Sequence, residues 1–161
     1  MPFVNSRFID VLTMIHDKLT PQRIEWVLIG SVSLALQGVD IEPKDIDILS
    51  NKDDALKTNI LLKNFEISPV KFMRSERFKS YRGTFQVNGI DIDIIGDFRV
   101  LIDNSWFSLS ERLFTRKFIE VENITLPVSP LQDQLTMYKK LQRKTDIRKI
   151  QKIEEKLRDG L

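Results

Sequence analysis

The chain has 161 residues, enough for one domain with a sizeable core, and its 42% hydrophobic and 30% charged residues are ordinary for a globular protein. It has no cysteine and one histidine, His16, so disulfides, thiolate catalysis and zinc–cysteine centres are excluded. The net charge is only +2, no apolar run is long enough to span a bilayer, and the N-terminus lacks a signal-peptide layout, so a cytoplasmic protein with no membrane partner is expected.

In chain order, Phe8, Ile9, Leu12, Ile15 and Leu19 form a helical stripe over 6–19, capped by Asn5 or Ser6 and stopped by Pro21. His16 lies beside that stripe and reads as a core-edge residue. Residues 25–30 read as a buried strand, Val32 to Gln37 as a short helix, and Gly38 as its left-handed cap. A strand over 45–50 follows Pro43, then a helix from Asp53 to Lys63 and a strand within 68–73. Phe78–Val87 and Ile90–Ile95 flank Asn88-Gly89, a strong hairpin signal. Helical turns are expected around 98–102 and 108–115, with Asp97 as a cap, and short strands within 118–126. Ser129-Pro130-Leu131-Gln132 reads as a capped helix start. The stripe Leu135, Tyr138, Leu141 is out of register with Ile147, Ile150, Ile153, Leu157, which predicts a break near Thr145. No repeat or linker interrupts the chain, so residues 1–161 read as one domain, with C-terminal helices over about 130–159.

Basic residues cluster twice. Residues 71–82 carry Lys71, Arg74, Arg77, Lys79 and Arg82 against Glu76 alone, and the tail from Tyr138 is also basic. Such stretches can attract phosphates, but the tail reads first as a solvated helix face.

The most informative pattern is Trp26-Val27-Leu28-Ile29-Gly30-Ser31 followed, after the thirteen residues 32–44, by Asp45-Ile46-Asp47. Residues i and i+2 of a strand point to one face, so the two carboxylates repel each other unless a cation lies between them. A Gly-Ser that ends a strand and opens a helix offers N–H groups and a hydroxyl to a phosphate, and the same serine can cap that helix. Together the two halves read as a site for a metal-bound nucleoside triphosphate.

This pattern resembles the nucleotidyltransferase superfamily with the polymerase-beta-like fold, whose signature is an apolar strand, Gly-Gly or Gly-Ser, and Asp-x-Asp about a dozen residues on. The resemblance covers about residues 24–97. It extends to small stand-alone prokaryotic members, which read Gly-Ser-x-Ser-x-Ala-Leu-Gln-Gly as residues 30–38 do here. It implies an α+β fold, a mixed sheet flanked by helices with a helical C-terminal part. It also implies a third carboxylate from a neighbouring strand. Asp93, set among Ile92, Ile94 and Ile95, fits that position better than Asp91 beside the turn.

Under this resemblance Asp45, Asp47 and Asp93 are the catalytic residues and the ligands of Mg2+ or Mn2+. Gly30 and Ser31 meet the phosphates, with Ser33 a lesser candidate. Lys140 and Arg143, three apart on a helix, would meet them if that helix folds back over the cleft. The expected reaction moves a nucleoside monophosphate from a nucleoside triphosphate to an acceptor hydroxyl on RNA, a small molecule or a protein. The alternative is a module of the same fold that has lost turnover, such as an antitoxin-like partner.

Overall fold

The computed structural model describes residues 4–113 and 115–160, with Glu111 and Arg112 described by backbone alone. The fold is α+β, an eight-stranded mixed sheet flanked by helices. Helix α1 (Ser6–Leu19) starts at Asn5, whose side chain accepts the Phe8 N–H at 3.2 Å, and buries the whole expected stripe. Strand β1 (Trp26–Ile29) runs into α2 (Gly30–Leu36), which Gly38 closes at φ +92°. Then come β2 (Ile46–Ser50), α3 (Lys52–Leu61), β3 (Glu66–Arg74), β4 (Phe78–Val87), β5 (Ile90–Ile102), β6 (Ser105–Ser108), β7 (Lys117–Val121), β8 (Ile124–Val128), α4 (Leu131–Leu141) and α5 (Ile147–Asp159). Among the described residues no helix is long and apolar enough to cross a membrane.

The strand order is β3-β4-β5-β2-β1-β8-β7, with β6 paired to β5. The pairs β1–β2, β3–β4, β4–β5, β5–β6 and β7–β8 are antiparallel, whereas β2–β5 and β1–β8 are parallel. Side chains alternate across the sheet. Trp26, Leu28, Ile46, Ile48, Ile92 and Ile94 pack in a core with the α1 stripe, while Val27, Ile29, Leu49 and Ile95 pack in a second core with Leu135, Tyr138, Leu141 and Ile153 of α4 and α5. Asp47 and Asp93 share the odd parity of that second set, so they face the side covered by the C-terminal helices.

Three sequence expectations are corrected. Residues 98–102 are not helical: β5 continues to Ile102, because β4 and β6 pair with it on either side, Arg99 lying opposite both Lys79 and Ser108. Asp97 is therefore no cap; it sits at φ +49° where the β4–β5 register shifts, and its carboxylate pairs with Arg99 at 2.8 Å. Ser129 does not cap α4 either. The cap position is Pro130, and Ser129 is fully buried with its N–H bonded to the Leu28 carbonyl, held as an extension of the parallel pairing with β1. The break near Thr145 is present: Gln142 at φ +52° ends α4, and a turn of 3-10 helix over Lys144–Asp146 leads into α5.

Candidate active site

The parallel register of β2 and β5 sets Asp47 directly opposite Asp93, and the antiparallel register of β1 sets Ile29 opposite Asp47. Gly30, next after Ile29, therefore lies against the Asp47 side chain. A Cβ at position 30 would collide with Asp47 Oδ2, and the backbone there has φ +80°, so the position demands glycine twice over. The Gly30 N–H donates to Gln134 Oε1 on α4 at 3.1 Å. Ser31 Oγ accepts the Lys44 N–H at 3.0 Å, which ties the loop before β2 to the start of α2 and so places Asp45.

Two cavities of about 230 Å³ each meet at the carboxylate pair, for both are lined by Asp45, Asp47, Thr145 and Lys149. One adds Ser31, Lys44 and Arg148 together with Glu42, an arm beside the Gly-Ser turn in which cations outnumber the added carboxylate. The other adds Asp93, Arg82, Tyr138 and Arg143. Asp146, 1% exposed, anchors the roof: Arg143 donates to it at 2.7 and 3.2 Å, and Lys149 Nζ lies 3.8 Å away. The Lys149 ammonium also lies 5.1 Å above the centre of the Tyr138 ring.

Burial, then the charge of Asp93, pushes the Asp47 carboxyl up to about 7; Lys149 and Arg82 partly offset this. Asp45 is raised by burial and by Asp93 and Asp91, with Lys44 and Lys149 acting against them. Burial, with Asp47 next, lifts the Tyr138 phenol above its ordinary range, so it remains protonated. Thr84 donates its hydroxyl to Asp93 Oδ1 at 2.7 Å, whereas the Asp47 carboxylate accepts no hydrogen bond from the described residues.

A hard divalent cation fits this donor set. The ligands are carboxylate oxygens, at least one of them free of protein hydrogen bonds, and their mutual repulsion is what a cation relieves. Asp45, Asp47 and Asp93 line one cavity, with one Asp93 oxygen engaged by Thr84; among the described residues no group of three acidic or imidazole side chains is already gathered around one point.

Two other expected residues lie elsewhere. Ser33 is fully buried, its Oγ accepting from Gln134 Nε2 at 3.0 Å and from Gln37 Nε2 at 3.2 Å, because its position on α2 faces α4. Lys140 lines a separate hollow with Ile102, Phe107 and Leu135; α4 stops at Leu141, so Lys140 and Arg143 do not share a helix face. Arg143 does reach the Asp93 cavity. Sequence reasoning missed Arg82, Gln134, Asp146 and Lys149. The spacing 143, 146, 149 with alternating charge was a readable signal of an ion-pair cluster, which forms with Arg143 in extended backbone between the two helices; Arg82 is recognisable only once Thr84 is seen opposite Asp93.

The family model of aminoglycoside-2''-adenylyltransferase matches residues 11–156. A putative nucleotidyltransferase from Thermotoga maritima superposes with a TM-score of 0.83 at 28% identity, over 98% of this chain and 96% of its own. The lincomycin-bound lincosamide antibiotic adenylyltransferase LnuA superposes with a TM-score of 0.58 at 11% identity, over 96% of this chain and 98% of its own, a likeness of fold. A comparison with curated proteins finds no match.

Proposed function

Because the chain belongs to the aminoglycoside-2''-adenylyltransferase family and is by that membership a nucleotidyltransferase, we propose that it moves a nucleoside monophosphate from a metal-bound nucleoside triphosphate to an acceptor hydroxyl. The observation that supports this most is the position of Asp45 and Asp47 on the wall between the two cavities, with Lys44, Arg148 and Lys149 near Ser31 on one side and Asp93 on the other. Asp45 and Asp47 would hold a divalent cation, which when bound neutralises charge on the triphosphate and on the leaving group. Lys44, Arg148 and Lys149 hold the phosphates in their arm. Gly30 keeps the turn close to Asp47, while its N–H serves Gln134 rather than the ligand.

The acceptor enters from the Asp93 side. Its hydroxyl oxygen bonds to the α-phosphorus, the bond from that phosphorus to the α–β bridging oxygen breaks, and pyrophosphate leaves with the electron pair. Asp93, oriented by the Thr84 hydroxyl, takes the hydroxyl proton. Tyr138 and Met137, both buried, roof this cavity and keep bulk water from competing as acceptor.

Calorimetric titration with each Mg2+–triphosphate tests the reading. The parent binds at least one of them only with the cation, and Asp45→Asn/Asp47→Asn loses metal-dependent binding while keeping its fold by circular dichroism. Parent-like binding by the double variant would show that the site is elsewhere.

A further inference from the structure

The Asp93 cavity does not end at Arg82. Arg82, Phe98 and Arg143 also form one wall of a neighbouring hollow of about 210 Å³, whose other lining includes Arg74, Ser75 and Ser80. Strand β4 supplies both: Ser80 and Arg82 line the hollow, and Thr84, next on the same face, bonds to Asp93. The acceptor side thus continues into a groove running along β4 toward the end of β3.

The chemistry of this groove is one-sided. Its lining has three guanidinium groups and two serines, and no carboxylate. Arg143 is neutralised by Asp146, but Arg74 and Arg82 make no ion pair among the described residues. The Arg74 guanidinium lies 5.7 Å from the centre of the Trp106 ring, and Lys79 Nζ lies 4.0 Å from it, so two cations crowd one ring at the rim. Ser80 lines the groove, and its hydroxyl is engaged by no other side chain or carbonyl among the described residues. Guanidinium groups gathered in one hollow with no carboxylate among them repel each other. An anion with several acceptor oxygens relieves this and takes a hydrogen bond from the accessible Ser80 hydroxyl, and guanidinium forks match phosphate geometry.

We propose that this groove holds the acceptor through a phosphate, so that the acceptor is a phosphate-bearing hydroxyl compound and not a polycation. The proposal rests on the nucleotidyltransferase reading and narrows its substrate class. Arg74, Arg82 and the Ser80 hydroxyl hold the phosphate, and the acceptor hydroxyl reaches Asp93 for the same oxygen-to-phosphorus transfer, with pyrophosphate leaving. An aminoglycoside carries several ammonium groups and meets like charge along this groove.

The test uses the full chain with Mg2+ and each of the four triphosphates. Three probes are titrated: a short single-stranded oligoribonucleotide with a free 3'-hydroxyl, glucose 6-phosphate, and kanamycin. One of the phosphate-bearing probes binds at least tenfold more tightly than kanamycin, and which one it is separates a nucleic-acid end from a sugar phosphate. Its binding weakens with rising salt, and Arg74→Gln and Ser80→Ala each weaken it at least fivefold while leaving the Mg2+–triphosphate titration within twofold of the parent. Kanamycin binding as tightly as both phosphate-bearing probes, failure of both of those to bind, or indifference to the two substitutions overturns the proposal. If the parent binds no Mg2+–triphosphate at all, the nucleotidyltransferase reading itself fails, an outcome distinct from a lost anion preference with that titration intact.

Discussion

Asp47 carries the largest electrostatic strain in the site. Its carboxyl is raised to about 7 by burial and by Asp93, whereas in the unfolded chain it titrates near the ordinary value of about 3.9. Between those two values the native state binds more protons than the unfolded state, so this group makes stability fall as pH rises through that window, with the full penalty present above it. Asp47→Asn removes the penalty. Without metal, the variant should melt several degrees above the parent at pH 8 and by a clearly smaller margin at pH 5, read by calorimetry at both. The same proton competes with a cation, so Mg2+ affinity of the parent should fall as pH drops below about 7. Gly30→Ala has the opposite sign: a side chain at φ +80° against Asp47 should cost about 1–3 kcal/mol, measured by urea unfolding.

At the scale of elements, the legible parts were those whose pairing is local. The Asn88-Gly89 hairpin forms with φ +53° and +76°, the geometry its residues prefer. Two further hairpins turn at Asp103-Asn104 and Glu122-Asn123 with positive φ at both residues. The second lies within the expected strands, but the first was hidden, because Phe98, Leu101 and Ile102 have a spacing that also suits a helix. What decides for a strand there is β6 on one edge and β4 on the other, a non-local fact. Asp45 and Asp47 were legible because acids at alternate positions of an apolar strand repel each other and call for a cation on their shared face. Ser33 and Lys140 were not, since each depends on where α4 ends and what it packs against. The break at Gln142 turns Lys149, not Lys140, toward the carboxylates. Hence Lys149→Ala should weaken Mg2+–triphosphate binding by about 1.5–3 kcal/mol, the scale of a charged hydrogen bond, and Lys140→Ala should leave it unchanged in the same titration.

For the whole molecule, the two cores divide the labour. The core under α1 is built on the sheet face that carries Ile46, Ile48, Ile92 and Ile94, while the other shares its sheet face with Asp47 and Asp93 and is closed by α4 and α5. The acids of the proposed site lie where a second layer can exclude water, and the repulsion that Lys149 and Arg82 only partly offset is what a bound cation would relieve. A ligand that binds the native state alone raises its melting temperature. Millimolar Mg2+ or Mn2+ should therefore raise the melting temperature of the parent and leave that of Asp45→Asn/Asp47→Asn unmoved, by differential scanning fluorimetry.

Gln134 joins these scales. Its amide takes the Gly30 N–H, gives hydrogen bonds to Ser33 Oγ and the Ser129 carbonyl, and lies 3.4 Å from the Tyr138 hydroxyl. The bond to Gly30 closes a loop of 104 residues. Strands β2 to β5 can pair while the chain is still emerging from the ribosome, but the turn beside Asp47 has no partner for its N–H until the last quarter of the chain has arrived. Long loops close late. The nascent protein therefore carries its acidic residues on a formed sheet before the turn beside them is anchored by α4 and before α5 brings Arg148 and Lys149 to the cavities.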